Sequence, residues 1–216
     1  MAISTIVFDL GNVVALFSHR RAAEQLAVYG TASAASIAAY IFGGTLEEDY
    51  EAGRIATDVF INTVRTTFHL QCNDEQFARA FNDIFTANAE VCELLPRLKP
   101  RYRLLLLSNT NDLHARFFLA KFREQLAPFD AFVLSHEVHM RKPDPRLYEY
   151  CRAQAGSPPA ADCLFIDDLP TNIDGVRACG WQGIVYRPGE DLPKKLAALG
   201  VQLAAIAETR LSRSVK

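Results

Sequence analysis

The sequence predicts an α/β fold: a parallel sheet core with a small helical cap inserted after the first strand. Five short apolar runs, at 3–8, 103–107, 130–134, 162–166 and 182–186, have the length and composition of strands buried on both faces. Most are separated by stretches that suit crossover helices, which is the spacing of a parallel sheet. One interval is longer: about ninety residues between the first and second runs carry no strong strand signal and are rich in Ala, Glu, Gln and Arg.

Ile3-Ser4-Thr5-Ile6-Val7-Phe8 opens the sheet and stops at Asp9. The apolar start from Met1 to Phe17 lacks a cationic leader and is interrupted by Asp9, so it reads as a strand rather than a signal peptide or membrane span. Helical composition follows in Arg20–Val28, Leu46–Glu51 and Glu75–Phe85; within the last, Phe77, Phe81, Ile84 and Phe85 recur at i, i+4, i+7 and i+8. Gly43-Gly44, Gly53 and Asn73-Asp74 mark turns between the pieces. A structureless loop of this length is improbable in a compact domain, so 16–88 is assigned to a helical cap and 1–15 with 89–216 to the α/β core.

The second strand, Leu104–Leu107, runs into Ser108-Asn109-Thr110-Asn111, and Phe117, Phe118 and Phe122 form a buried helix face beyond it. Met140-Arg141-Lys142-Pro143 follows the third strand. The fourth, Cys163–Ile166, ends in Asp167-Asp168 before a helix near Thr171–Ala178, and Trp181 anchors the core under the last strand. In such sheets the strand ends converge at the carboxyl edge, where the ligand crevice lies. One carboxylate, a hydroxyl with an amide, two further carboxylates and Lys142 then share a pocket, a set suited to phosphoryl transfer assisted by a divalent cation.

Composition excludes other classes. The chain has 216 residues, half of them hydrophobic, and a net charge of −2 with pI near 6.2, so it has a full core and no basic footprint for nucleic acid or an anionic membrane. The basic end, Arg210 to Lys216, is short and expected to fray. Five cysteines without metal spacing, and an odd count, fit a reducing cytoplasm. His114, His136 and His139 lack a pairing that would hold zinc. No feature sets an oligomeric state.

Phe8-Asp9-Leu10-Gly11-Asn12-Val13, Leu107-Ser108-Asn109-Thr110-Asn111, Arg141-Lys142-Pro143 and Phe165-Ile166-Asp167-Asp168 resemble, in order and spacing, the four motifs of the haloacid dehalogenase (HAD) superfamily. The details look most like the bacterial α-D-glucose-1-phosphate phosphatase group. The resemblance implies a Rossmann-like core with a helical cap, and Mg²⁺-dependent hydrolysis of a small phosphorylated metabolite through an aspartyl-phosphate. It implies Asp9, Ser108 and Lys142 as catalytic residues, and Ser108, Asn109 and Lys142 on the substrate phosphate. Asp9, the Gly11 carbonyl, Asp167 and Asp168 are the metal set, with Asp168 favoured as direct ligand and Asp167 outside it or sharing the role.

The residues suit these roles. A phosphate ester repels nucleophiles through its own charge, so the catalyst must neutralise that charge and hold the nucleophile in line. Asp9 is the nucleophile; Ser108, Asn109 and Lys142 offer donors and a positive charge. Two like charges ~4 Å apart repel by roughly 4 kcal/mol at an effective dielectric of 20, so clustered carboxylates share protons or bind a cation. Taken singly, each residue also has a plainer reading: Asp9, Ser108, Asn109 or Asp167-Asp168 as helix caps, Lys142 as a solvated lysine. Four coincidences in the right order argue for the set.

Phosphatases of the superfamily usually carry a second Asp two residues after the nucleophile, as proton donor to the leaving group; here it is Gly11, as in the glucose-1-phosphatase-like group. A glycine there is also what a positive φ would require. A sugar 1-phosphate tolerates the loss because its anomeric oxygen leaves readily, and His19 or a metal-bound water are the alternatives for the proton. Two other functions fit the motifs less well: a 2-haloacid dehalogenase, for which Asp167-Asp168 have no evident role, and a degenerate binding protein, against which intact Asp9, Ser108, Lys142 and Asp168 argue.

Overall fold

A computed structural model describes residues 2–205. In chain order the elements are β1 (Thr5–Phe8), β2 (Ala15–Leu16), α1 (His19–Ala27), α2 (Ala34–Phe42), α3 (Thr45–Glu51), α4 (Thr57–Phe68), α5 (Asp74–Asn82) and β3 (Thr86–Ala87). Then come α6 (Ala89–Cys92), α7 (Leu95–Leu98), β4 (Arg103–Ser108), α8 (Asp112–Lys121), α9 (Arg123–Leu126), β5 (Ala131–Leu134) and α10 (Ser135–Val138). The chain closes with α11 (Pro145–Gln154), β6 (Cys163–Asp167), α12 (Pro170–Ala178), β7 (Gln182–Val185) and α13 (Leu192–Ala198).

All five predicted strands form, paired in parallel in the order β5-β4-β1-β6-β7. Their runs read as continuous hydrophobics because each face meets a different apolar layer. Ile6, Phe8, Leu104, Leu106, Leu164 and Ile166 join one buried cluster, while Val7, Leu105, Leu107, Cys163 and Phe165 join the other, as a period of two requires. Trp181 is buried in the second cluster, as expected; Phe118 and Phe122 are buried, but Phe117 only half so. No helix of the described residues is long and apolar enough to cross a membrane. Arg210 to Lys216 lie outside the described residues.

Between β2 and β3 the chain builds five helices, α1 to α5, whose buried residues extend the first cluster away from the sheet. Ser18 and Ser33 cap α1 and α2 by accepting from Arg21 N and Ser36 N, and Asn73 with Gln76 forms a reciprocal capping box on α5. The glycine turns fall as the sequence suggests: Gly43 ends α2, Gly44 starts α3, and Gly53 turns with φ of 65°. The periodicity overran at one point. α5 stops at Asn82, and Ile84 and Phe85 pack in the core from the segment that follows, so an apolar period continued past the helix that it marked. β2 and β3, two residues each, pair antiparallel as Ala15↔Ala87 and Leu16↔Thr86 where the chain leaves the sheet region and returns. Elements so short leave no period to read.

Candidate active site

Register sets the first contacts. β1 pairs Phe8 with Leu106 on one side and Ile166 on the other, so the next residue, Asp9, comes alongside Asp167, while Ser108 ends β4 one step further along. Asp9 N donates to Ile166 O at 2.9 Å, continuing the ladder to the nucleophile candidate. Beyond it the chain turns sharply: Ala15 N donates to Leu10 O at 2.8 Å and Asn12 N to Ala15 O at 2.8 Å. The left-handed residue of the turn is Asn12, at φ of 53°, not Gly11. Gly11 answers to space instead, since a Cβ there would lie 2.8 Å from Phe17 Cε1.

Lys142 is the electrostatic centre. Its ammonium is buried, 2.7 Å from Asp9 Oδ1 and 2.7 Å from Asp167 Oδ2. Burial disfavours that charge, yet Asp9 and Asp167 more than offset it and hold the lysine protonated well above its usual range. Its backbone is positioned by Asn109, whose Oδ1 accepts from Lys142 N at 2.8 Å and whose Nδ2 donates to Lys142 O at 3.2 Å. The Asn109 side chain is thus engaged in placing Lys142. Ser108 lines the cavity, its hydroxyl donating to Asn109 O at a long 3.3 Å.

The paired aspartates differ. Asp167 is fully buried and its two oxygens accept from Leu169 N, Asn172 Nδ2 and Lys142 Nζ at 2.7–3.0 Å. Asp168 lines the cavity, and its Oδ2 accepts from Asn12 Nδ2 at 2.9 Å, leaving Oδ1 for a ligand. Burial raises the Asp9 carboxyl above the ordinary carboxylate range; Lys142 opposes this, and Asp167 and Asp168 add to it. Burial also raises Asp168, with Asn12 opposing and Asp167 adding. One oxygen from each of Asp9, Asp167 and Asp168 lies within 4.8 Å of the others. Three carboxylates against one ammonium leave surplus negative charge beside an open carboxylate oxygen, which fits a hard divalent cation.

A cavity of ≈ 300 Å³ stands over this edge, and its far wall comes from elsewhere: Phe17, His19, Glu47, Glu51, Phe85 and Arg141. Glu51 Oε2 accepts from Arg141 Nε and Nη2 at 3.0 and 2.8 Å, and Ser135 Oγ donates to Glu51 O at 2.6 Å, which ties α3 to the strand ends. Burial pushes the Glu51 carboxyl up to about 7, Glu47 adding and Arg141 opposing. His19 lies 3.2 Å from Glu47 through Nε2. His114 also lines the cavity, as a buried and satisfied histidine bonded to Asn111 Nδ2 at 3.1 Å and Phe81 O at 3.3 Å and stacked on Phe81. Burial lowers it to about 3, the Phe81 bond opposing and the charge of His19 adding.

The seven residues singled out at the strand ends, Asp9, Gly11, Ser108, Asn109, Lys142, Asp167 and Asp168, therefore meet at one edge. Asn12, Asn172, Glu47 and Glu51 were missed. Asn12 stands inside a quoted motif, where a non-glycine in a tight turn was the available signal, whereas the partners of Asn172 and the glutamates exist only in three dimensions.

A family model described as haloacid dehalogenase-like hydrolase matches residues 3–180. The chain is 38% identical over 64 residues to flavin mononucleotide hydrolase 1 of Arabidopsis thaliana, covering 30% of this chain and 26% of the relative. It is 29% identical over 133 residues to N-acylneuraminate-9-phosphatase of Homo sapiens, covering 57% and 53%. The chain thus spans about a quarter and about half of the curated relatives it matches. A HAD family enzyme of Bacteroides thetaiotaomicron, solved with magnesium and inorganic phosphate, superposes with a TM-score of 0.78 at 26% identity over 90% of this chain and 99% of that one.

Proposed function

The chain belongs to the haloacid dehalogenase-like hydrolases, and from that footing we propose that it is a Mg²⁺-dependent phosphatase of a small phosphorylated metabolite, of which a sugar phosphate such as glucose 1-phosphate is the best candidate. The observation that carries the reading is the division of labour around Lys142: one carboxylate saturated, one open to the cavity, and a third, Asp9, at the mouth of β1. The magnesium and phosphate bound by the Bacteroides enzyme support it.

Asp9 attacks phosphorus and carries the phosphoryl group as an aspartyl-phosphate that water then hydrolyses. Lys142 opposes protonation of Asp9 before attack and faces the equatorial oxygens as their charge develops. Ser108 turns its hydroxyl to the same oxygens, and Asn109 keeps Lys142 in place. Asp168, Asp9 and the Gly11 carbonyl would hold the cation, with Asp167 orienting the lysine from behind. When bound, the cation supplies charge neutralisation of the phosphoryl oxygens. The helical segment 16–88 acts as a cap whose wall faces the leaving group. The anomeric oxygen of a sugar 1-phosphate asks least of a proton donor, so kcat/KM for glucose 1-phosphate exceeds that for glucose 6-phosphate by about tenfold or more.

Phosphate and halide release, with and without chelator, tests the reading. Chelator-sensitive phosphate release is expected. Halide release from a 2-haloacid that survives chelation would replace it with the dehalogenase.

A further inference from the structure

We propose that the proton donor missing at Gly11 is supplied from the opposite wall by His19, with Glu47 as its positioning residue. The inference rests on the phosphatase reading.

Three observations converge. The place of a carboxylate at 11 is taken: the ring of Phe17 stands 2.8 and 3.3 Å, through Cε1 and Cδ1, from the point where a Cβ would be. A donor must therefore reach the ester oxygen from another direction. His19 packs against that ring, with centroids 4.9 Å apart, and the imidazole is held flat against Phe42 at 4.0 Å and an interplanar angle of 4°. His19, as first residue of α1, and Glu47, in the first turn of α3, come from two helices to meet at 3.2 Å. Both line the cavity that holds Asp9 and Asp168. The imidazole packs against two aromatic rings with Nε2 beside a carboxylate, so Nδ1 is the ring nitrogen not paired with Glu47, and imidazole is a side chain suited to general acid–base transfer.

The steps balance. As Asp9 Oδ bonds to phosphorus, the ester P–O bond breaks and the leaving oxygen keeps its electron pair, taking the Nδ1 proton of the His19 imidazolium. The neutral ring next accepts a proton from the water whose oxygen bonds to phosphorus. The bond to Asp9 Oδ then breaks, which restores the carboxylate and the imidazolium and frees phosphate. Glu47 balances the imidazolium charge and sets the ring's angle. Glu51 is the competing acid on the same wall, but its Oε2 is engaged by Arg141.

The test is a leaving-group comparison on the full chain with Mg²⁺, using p-nitrophenyl phosphate, whose phenolate departs unaided, and the faster of glucose 1-phosphate and glucose 6-phosphate. His19→Asn is expected to lower kcat on the sugar ester by about 10²-fold or more and on the nitrophenyl ester by less than about tenfold. Glu47→Gln should show the same split at smaller size, which also covers a His19 variant that folds poorly. Equal losses on both esters, or a split in Glu51→Gln and none in His19→Asn, would overturn the assignment while leaving the phosphatase standing. Hydrolysis of neither ester type by the unsubstituted chain would remove the phosphatase reading itself.

Discussion

The two ends of the cavity are built on opposite plans. At the sheet edge, Asp9, Lys142 and Asp167 are buried; strand register sets the two carboxylates side by side, and Lys142 bonds both at 2.7 Å. On the far wall, His19 and Arg141 keep about a third and a quarter of their side-chain surface exposed, and their carboxylate partners both come from α3. A group buried among charges is expensive to alter, because removing one partner strands another. A half-exposed group can be exchanged at modest cost. On the phosphatase proposed above, chemistry common to any phosphate ester therefore belongs to the edge and discrimination among esters to the wall.

The largest test of that division is Asp9→Asn. Phosphate release should fall by about 10³-fold or more for every ester alike, with circular dichroism unchanged; a loss confined to one ester would break the division. Next, Asp168→Ala and Asp167→Asn should part company. The first is expected to raise the Mg²⁺ concentration for half-maximal activity at little cost in thermal stability, since Asp168 faces the cavity. The second should cost about 3 kcal/mol in denaturant unfolding by stranding Lys142 and Asn172. Identical signatures would mean that the two carboxylates share one role.

A third, smaller effect probes the junction between edge and wall. His114 binds a proton near 6.5 when unfolded but only near 3 when buried in the fold. Between these values the unfolded chain holds more protons, so stability falls as pH drops below 6.5, by about 2 kcal/mol at pH 5. Chemical denaturation across that range should show the fall, and His114→Gln should flatten it. The smallest is Gly11→Ala, expected to cost about 1 kcal/mol because Phe17 must yield, and to be relieved when Phe17→Ala is added. Additive rather than compensating costs would show that the ring does not fill the space at 11.

The same division governs what the sequence discloses. Strands and their polar terminators are legible because burial on both faces demands unbroken apolar runs, and because register then brings Asp9, Ser108 and Asp167 together with no further information. Which of the paired aspartates is open could be read only from the motif resemblance, which favours Asp168; its physical cause lies in Asn172, in the first turn of α12, and in Asn12 across the turn. Three of the five helices in 16–88 could be read, from composition and, in the last, from period, but not α2 or α4, nor the side chains they aim at the cavity. His19 meets Glu47 only after α1 and α3 have packed, and no spacing within one chain records that meeting. Gly11 was legible as an absence, while its cause, a ring six residues on, was not.

The narrow ribbon of β2 and β3 carries a consequence of another kind. Ala15 lies opposite Ala87, so everything between them is a loop whose ends are already joined by backbone bonds. Closing such a loop costs little more when it is lengthened, since the entropy grows only with the logarithm of its length. The sheet is therefore insulated from the size and content of what hangs beyond the ribbon. Insertion, deletion or wholesale replacement of helices there alters the cavity's far wall while the strand ends keep their register, which makes this doorway the natural seam for exchanging the wall and leaving the edge intact.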